Sequence, residues 1–261
     1  MQRRQFITSG IAATALGGLH GTSMGESDQG RPYYELLLYE GRIGEPFNRI
    51  QHWAENSLVP SLSKAGVKAL GCFTLALGVD TPQLLVVMEH ASVDGLQSTW
   101  RKVRELPEWR DGLKKVEEGH LPPFDRLEKR LLLATDYSPP LSEAVGKAEK
   151  PRFFEFRTYH SPTYRQLIAL HERFSGPEIK IFHRSGIYPI FYADMIFGPN
   201  QPCLTYMMPF ETLAAREKAW AAFRADPEWV KVRADSIARA GEIVSHTDRF
   251  LYVAAPYSPI L

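Results

Sequence analysis

Cysteine and long hydrophobic runs are scarce in this sequence. Only two of its 261 residues are cysteines, Cys72 and Cys203, and neither lies in a CxxC or CxxxH pattern. We therefore expect both to be buried free thiols. No run of about 18 consecutive apolar residues occurs, so no permanent membrane-spanning helix is expected.

An excess of either charge is also missing. Lys and Arg together number 31 and Asp and Glu 30, which gives a formal net charge of +1. No run of basic residues is suited to following a phosphate backbone, which argues against nucleic acid as a partner. The sequence also lacks GxSxG, HExxH, a glycine-rich phosphate loop and a catalytic-cysteine context, so it predicts neither a metal nor a cofactor.

The N-terminus differs from the rest of the chain. Arg3-Arg4 is followed by Phe6 and by a mildly apolar run, residues 11–19. This pattern resembles a twin-arginine export signal. An ordinary disordered N-terminus is the alternative, whereas a mitochondrial presequence is disfavoured because no Lys or Arg follows Arg4 before Arg31. We interpret residues 1–30 as a twin-arginine leader and expect a periplasmic or other extracytoplasmic location.

The strongest pattern is an internal repeat. Matching residues recur 120 positions apart, with a one-residue slip that sets His52 opposite His171: Tyr34-Glu35 with Phe154-Glu155, Tyr39 with Tyr159, Gly66 with Gly186, Trp100 with Trp220, and Pro107-Glu108-Trp109 with Pro227-Glu228-Trp229. A fixed offset of this kind indicates a duplicated structural unit. We divide the chain into a first copy (residues 31–139), a linker (residues 140–150) and a second copy (residues 151–261).

Each copy has the same predicted order of elements. Aromatic-rich strands are expected to start near Tyr33 and Phe153, followed by a helix that in the second copy begins at Ser161-Pro162. Two strands, a helix that restarts at a proline and a last strand complete a βαββαβ unit. The sequence thus predicts an α+β protein, in which two tandem ferredoxin-like units form an intrachain pseudo-dimeric α/β barrel.

These residues resemble a known family. The segments that carry the resemblance are Glu155-Phe156-Arg157-Thr158-Tyr159, the helix with His171, Leu213-Ala214-Ala215-Arg216-Glu217 before Trp220, Asp226-Pro227-Glu228-Trp229, and Ser258-Pro259. They are similar to the NIPSNAP family, and the first copy is less similar, with Leu37 and Leu96 in place of Arg157 and Arg216. The resemblance implies a dimeric α/β-barrel fold. That fold also serves small monooxygenases, haem-handling proteins and stress-response proteins, while the NIPSNAP family has no well-established activity.

Strand alternation provides the candidate pocket. Glu155, Arg157 and Tyr159 share one face of their strand, and Glu35 and Tyr39 occupy the matching places in the first copy. We expect this polar face to point into the barrel interior. The cluster is then either the lining of a ligand pocket or a salt-bridged network that fixes the two sheets, since structural ion pairs also bury charge.

Four further residues complete the candidate set: His52, His171, Arg216 and Trp220. A histidine on a helix suits acid/base work near neutral pH, but without a second ligand at i+4 it makes no zinc signature. Trp220 either packs its helix onto the sheet or forms a pocket wall. His183-Arg184 and His246-Thr247-Asp248 have polar side chains typical of sites but no partner at a diagnostic spacing.

Two classes of function remain open. The first is a non-catalytic module that binds a small molecule or a protein partner outside the cytoplasm, which fits the missing catalytic motifs. The alternative is a cofactor-independent monooxygenase or isomerase with a pocket inside the barrel and His171 or Glu155 as base. Haem handling would require His52 or His171 as axial ligand. Association into a homo-oligomer is left open.

Overall fold

The predicted βαββαβ order is found twice in the computed structural model, which describes residues 30–261. The predicted leader, apart from Gly30, lies outside the described residues. A short π-helical turn interrupts the first helical region of each copy, at Ala54–Leu58 and at Phe174–Glu178. The first copy contains β1 (Tyr33–Gly41), α1 (Glu45–Trp53), α2 (Val59–Lys64), β2 (Leu70–Leu77), β3 (Gln83–His90), α3 (Val93–Glu105), α4 (Pro107–Glu117) and β4 (Phe124–Ala134). The second contains β5 (Phe153–His160), α5 (Tyr164–Arg173), α6 (Ile179–Arg184), β6 (Phe191–Phe197), β7 (Cys203–Phe210), α7 (Leu213–Ala225), α8 (Pro227–Ala240) and β8 (His246–Ala254).

Side chains cap the starts of α3, α7 and α8, and the predicted start of α5 needs a correction. Asp226 caps α8, since its carboxylate accepts hydrogen bonds from the amides of Glu228 and Trp229. The predicted start of α5 at Ser161-Pro162 is wrong, because the Ser161 hydroxyl donates to the carbonyl of Ile243 instead. The helix begins at Tyr164, after Thr163.

The eight strands form one closed antiparallel barrel in the order β1-β3-β2-β8-β5-β7-β6-β4. Each copy supplies four adjacent strands. The two halves join where β2 pairs with β8 and where β4 pairs with β6. The pseudo-dimeric barrel predicted from the repeat is therefore confirmed.

The centre of the barrel is apolar, which corrects the predicted orientation of the polar face. Tyr34, Leu36, Phe154 and Phe156 lie in a central core that both copies build. The opposite face of β1 and β5, with Glu35, Tyr39, Glu155, Arg157 and Tyr159, packs towards the helices. An eight-stranded barrel is just wide enough for side chains to fill it. Charges inside would lack partners there, whereas the helices supply them.

The ends of the two copies cross over to the opposite half. Tyr137, which follows β4, donates to Nδ1 of His171 on α5 at 2.8 Å, and Tyr257, which follows β8, donates to Gln51 on α1 at 2.6 Å. A 3₁₀ turn, Leu141–Ala144, lies within the predicted linker, and its Leu141 is buried in the barrel core. The segment between the copies thus packs as part of the fold.

Both cysteines are free and buried, as predicted. Burial raises the pKa of the Cys72 thiol to about 12, so this thiol stays protonated and unreactive at neutral pH. Within residues 30–261, no helix is both long enough and apolar enough to cross a membrane.

Candidate functional site

Glu155 is the centre of a buried charge cluster between β5 and α7. Its side chain is 1% exposed and accepts a hydrogen bond from Nε1 of Trp220 at 2.6 Å. Nε of Arg157 donates to the same carboxylate at 2.7 Å. Arg216 donates through Nε and Nη2, both at 2.8 Å, in a bidentate fashion. Arg157 thus pairs with Glu155 on its own strand.

Two guanidinium groups keep this carboxylate ionised. Burial by itself raises the pKa of Glu155, but the charges and hydrogen bonds of Arg157 and Arg216 outweigh it and hold the pKa below its usual value. The Arg157 guanidinium also lies 3.5 Å from the centre of the Trp220 ring and donates to the Tyr159 hydroxyl at 3.3 Å. Glu155, Arg157 and Arg216 together carry a net positive charge.

A cleft of about 720 Å³ opens beside this cluster, between β5, β8, α7 and α8. Trp220 and Trp229 form aromatic walls. A smaller recess of about 250 Å³ shares Tyr159, Trp229, Arg233 and Arg249 with it. Arginine is the commonest residue type in the lining of the cleft: Arg157, Arg216, Arg224, Arg233 and Arg249, with Glu217 as the one acidic residue.

Three of these arginines are exposed and lack a carboxylate partner. Within the part of the chain that the structure describes, Arg224, Arg233 and Arg249 form no ion pair. Arg249 lies directly opposite Arg157 in the pairing of β5 with β8. Like charges that face each other across two strands repel each other and destabilise the pair. The cleft therefore presents uncompensated positive charge between aromatic walls.

The matching place in the first copy is built from different side chains. The positions of Arg157, Arg216 and Arg233 hold leucines there, and that of Arg249 holds a lysine: Leu37, Leu96, Leu113 and Lys129. Trp100 donates to Glu35, as Trp220 does to Glu155, but the second partner of Glu35 is His90, at 3.1 Å. Trp109 packs on Trp53 and Trp100, so aromatic side chains fill this half.

The comparison with known proteins assigns the family. The NIPSNAP family model matches residues 34–139 and again residues 154–259. The chain belongs to the NIPSNAP family. Each copy is thus one NIPSNAP repeat, and the arginine cleft belongs to the second.

Solved structures share the fold of this NIPSNAP chain. A "putative monooxygenase" from Fusobacterium nucleatum subsp. nucleatum is 10% identical with a TM-score of 0.58, over 86% of this chain and 93% of its own. Another "putative monooxygenase", from Lactobacillus acidophilus, is 10% identical with a TM-score of 0.53, over 88% and 99%. A NIPSNAP family protein of unknown function from Agrobacterium tumefaciens is 21% identical with a TM-score of 0.37, over 42% of this chain and 94% of its own. No curated protein matches the chain.

Behind the cleft, the second NIPSNAP repeat buries a further ion pair. Nε of Arg173 donates to Glu178 at 2.7 Å, where the first repeat has Trp53 and Leu58. Burial raises the pKa of Glu178, and the nearby Arg173 reverses this only in part. Among the described residues, Oε1 of Glu178 and the hydroxyl of Tyr192 have no hydrogen-bond partner. Polar character therefore extends from the cleft into the core of the second repeat.

The predicted histidines lie away from this cleft. His171 is held by Tyr137 at Nδ1, and its Nε2 lies 3.1 Å from Asp194. His52 is not its counterpart, which corrects the predicted one-residue slip. Gln51 occupies the place of His171, at the constant offset of 120 residues, and contacts Tyr257 and Thr74 as His171 contacts Tyr137 and Asp194. His52 instead lies beside Asn56 on the helix surface, 3.2 Å from it.

The candidate set therefore separates into two groups. Glu155, Arg157, Tyr159, Arg216 and Trp220 form or line the cleft. The other four do not: Glu35, Tyr39, His52 and His171. Sequence reasoning missed Arg233 and Arg249, although the first repeat has Leu113 at the position of Arg233, which was a visible signal.

Proposed function

We propose that the second NIPSNAP repeat binds a small organic anion in the arginine cleft. The observation that carries this proposal is the pairing of Arg157 with Arg249 across β5 and β8, beside the unpaired Arg233. An anion between these groups would relieve their mutual repulsion. The first repeat has leucine at the positions of Arg157 and Arg233 and lysine at that of Arg249. The first half of the barrel therefore folds and closes without arginine at these positions.

The shape and chemistry of the cleft favour a planar anion. A guanidinium group matches the geometry of a carboxylate, sulfonate or phosphate through two parallel hydrogen bonds. Trp229, which is half-buried in the wall of the cleft, offers apolar surface against which a ring can stack. A cleft of about 720 Å³ is within the size range of small-molecule sites. The ligand class is therefore an aromatic or other ring compound with one or two acidic groups.

Binding is favoured over catalysis by the state of the two predicted bases. A general base works best with a pKa near the operating pH. Glu155 has a lowered pKa and already accepts hydrogen bonds from three side chains. Nδ1 of His171 contacts the Tyr137 hydroxyl, Nε2 lies 3.1 Å from Asp194, and the side chain lines neither part of the cleft. An oxygenase or isomerase that uses either residue as base is therefore not proposed.

The anion site is tested with anilinonaphthalene sulfonate, a fluorescent aromatic anion. The double variant Arg233→Leu, Arg249→Leu is expected to bind this probe at least about tenfold more weakly, since a hydrogen bond to a charged group contributes about 1.5–3 kcal/mol. Fluorescence titration at two salt concentrations measures the affinity. Binding to the unmodified protein should weaken at higher salt.

Lys129→Leu in the first repeat is the matched control, because Lys129 corresponds to Arg249. It should leave probe binding unchanged. Equal weakening in the control, or undiminished binding in the double variant, would contradict the proposal. Native mass spectrometry of protein purified from its own host, with an absorption spectrum, identifies any retained ligand.

We also propose that the protein acts outside the cytoplasm after export by the twin-arginine route. Arg3-Arg4, Phe6 and the apolar run at residues 11–19 support this proposal. Replacement of both arginines with lysine is expected to leave the precursor in the cytoplasm, because the pathway reads the arginine pair. Cell fractionation and immunoblotting measure the amount of precursor that stays in the cytoplasm. Unchanged processing of the Arg3→Lys, Arg4→Lys variant would rule out the twin-arginine leader.

A further inference from the structure

A second polar cluster lies on the opposite side of the barrel wall from the arginine cleft. Along β5, Phe154 and Phe156 point into the barrel, and His160 ends the strand on the same face. In the pairing of β5 with β8, His160 lies directly opposite His246. Asp248 follows two positions later on β8 and therefore points to the same side. Three metal-binding side chains thus converge at one mouth of the barrel.

The distances within this cluster fit a single ion. Nε2 of His160 lies 2.8 Å from Oδ2 of Asp248, and Nε2 of His246 lies 3.0 Å from its Oδ1. All three ligand atoms lie within 4.8 Å of one another. Neighbouring ligand atoms of a tetrahedral zinc ion are roughly 3.4 Å apart, because each bond measures about 2.1 Å. A side-chain adjustment of less than about 1 Å would therefore complete the site.

We propose that His160, His246 and Asp248 bind a divalent transition-metal ion at the mouth of the barrel. Two imidazoles and one carboxylate suit Zn²⁺, Fe²⁺ or Co²⁺, whereas Mg²⁺ and Ca²⁺ prefer sites made of oxygen ligands alone. Three protein ligands leave coordination positions open for water or for a small ligand.

The first NIPSNAP repeat has structural ion pairs at the place that matches this cluster. Glu40, Arg126 and Glu128 occupy the positions of His160, His246 and Asp248. There Arg126 donates to Glu40 and Arg130 donates to Glu128, so each carboxylate has a guanidinium partner. In the second repeat no Lys or Arg among residues 30–261 pairs with Asp248. The oxygens of Asp248 contact the two histidines instead, and both side-chain types are metal ligands.

The surroundings favour a cation as well. A cavity of about 270 Å³ adjoins the cluster, and Asp248 is part of its wall. The charged residues that line it are four acidic and two basic ones: Glu40, Asp80, Glu128, Asp248, Arg126 and Arg130. The side chain of His160 is 12% exposed, and that of His246 is 69% exposed. The buried ligand is therefore fixed by the barrel wall, while the exposed one leaves a route for the ion.

The test uses full-length protein without a histidine tag, stripped with chelator and titrated with Co²⁺. We expect one ion per chain, with the visible absorption bands of nitrogen- and oxygen-coordinated cobalt. Zn²⁺ should displace the cobalt, and Mg²⁺ should not. At a free metal concentration about 100 times the Kd, the Tm should rise by roughly 5 °C.

His246→Ala is the main variant, because this exposed side chain can be removed with little effect on folding. This variant should weaken Co²⁺ binding more than the loss of an outer-shell partner does. The loss of an outer-shell partner weakens metal binding about 10- to 100-fold. His160→Ala and Asp248→Asn should act in the same way. His120→Ala, an exposed histidine outside this cluster, is the control and should bind normally. No saturable uptake by the unmodified protein, or full uptake by the His160→Ala, His246→Ala variant, would overturn the proposal.

Discussion

Replacing Glu155 with glutamine is expected to lower the free energy of unfolding by about 3–5 kcal/mol. The amide keeps the shape of the side chain and still accepts a hydrogen bond from Trp220. It removes the negative charge between Arg157 and Arg216, however, and leaves the buried Arg157 guanidinium without a carboxylate. Arg157 then faces Arg249 with no compensation on its own strand. Urea unfolding followed by tryptophan fluorescence measures the loss.

Two companion variants make this prediction specific. Glu35→Gln, at the matching place in the first repeat, should cost less, since Glu35 pairs with a histidine and a tryptophan and contacts Lys129 only at 3.9 Å. Arg157→Leu should also cost less, because Glu155 keeps both hydrogen bonds from Arg216 and the one from Trp220. If Glu155→Gln proved no more harmful than Glu35→Gln, the charge cluster would not be what stabilises this half.

Phe174→Ala is expected to destabilise the protein by about 3–5 kcal/mol, as is typical when a buried phenylalanine is truncated. The ring is fully buried at the start of the π turn after α5. Its aromatic neighbours come from the helices, the sheet and the crossing segment of the first repeat: Tyr137, Tyr159, Phe182, Tyr192 and Tyr206. Alanine would leave a cavity that these fixed rings cannot close.

The repeat itself makes this variant informative. The first repeat has Ala54 at the position of Phe174, so comparison of the sequences alone would suggest that alanine is tolerated. In that half the neighbouring Trp53 packs on Tyr39 and Trp109, whereas the second repeat has Arg173 at the position of Trp53. Ile168→Ala, which alters a half-exposed side chain on α5, should change stability by less than about 0.5 kcal/mol. A loss for Phe174→Ala as small as that of this control would contradict the packing argument.

The sequence predicted the barrel because the signals for it are local or periodic. Three such signals can be recognised without knowledge of the fold: strand alternation around Tyr34 and Phe154, the Asp226-Pro227 cap and the constant offset of 120 residues. Which face of β5 points inward is different, because it depends on the room inside a closed barrel. The polar cluster around Glu155 was therefore recognised correctly as a group but placed on the wrong side of the sheet.

The missing parts of both proposed sites have a common cause. Arg157 and Arg249 meet only through the register of β5 with β8, and so do His160 and His246. Because these residues lie on two strands that are far apart in the chain, the sequence shows no characteristic spacing between them. A comparison of the repeats residue by residue does detect Arg157, His160 and His246, because the first repeat has leucine, glutamate and arginine at these positions. The apparent match of His52 with His171 shows the opposite error, in which residue identity concealed a difference in position.

Closure of the barrel within one polypeptide frees its halves from a constraint on symmetric assemblies. In a homodimer every substitution is made twice, so an arginine introduced into one half enters the other as well. Each change must then be tolerated by both partners at once. Here a single gene specifies the two halves separately, which allows one half to keep an aliphatic and aromatic interior while the other accumulates buried charge. Duplication and fusion thereby turn a two-fold symmetric scaffold into one with a supporting side and a variable side.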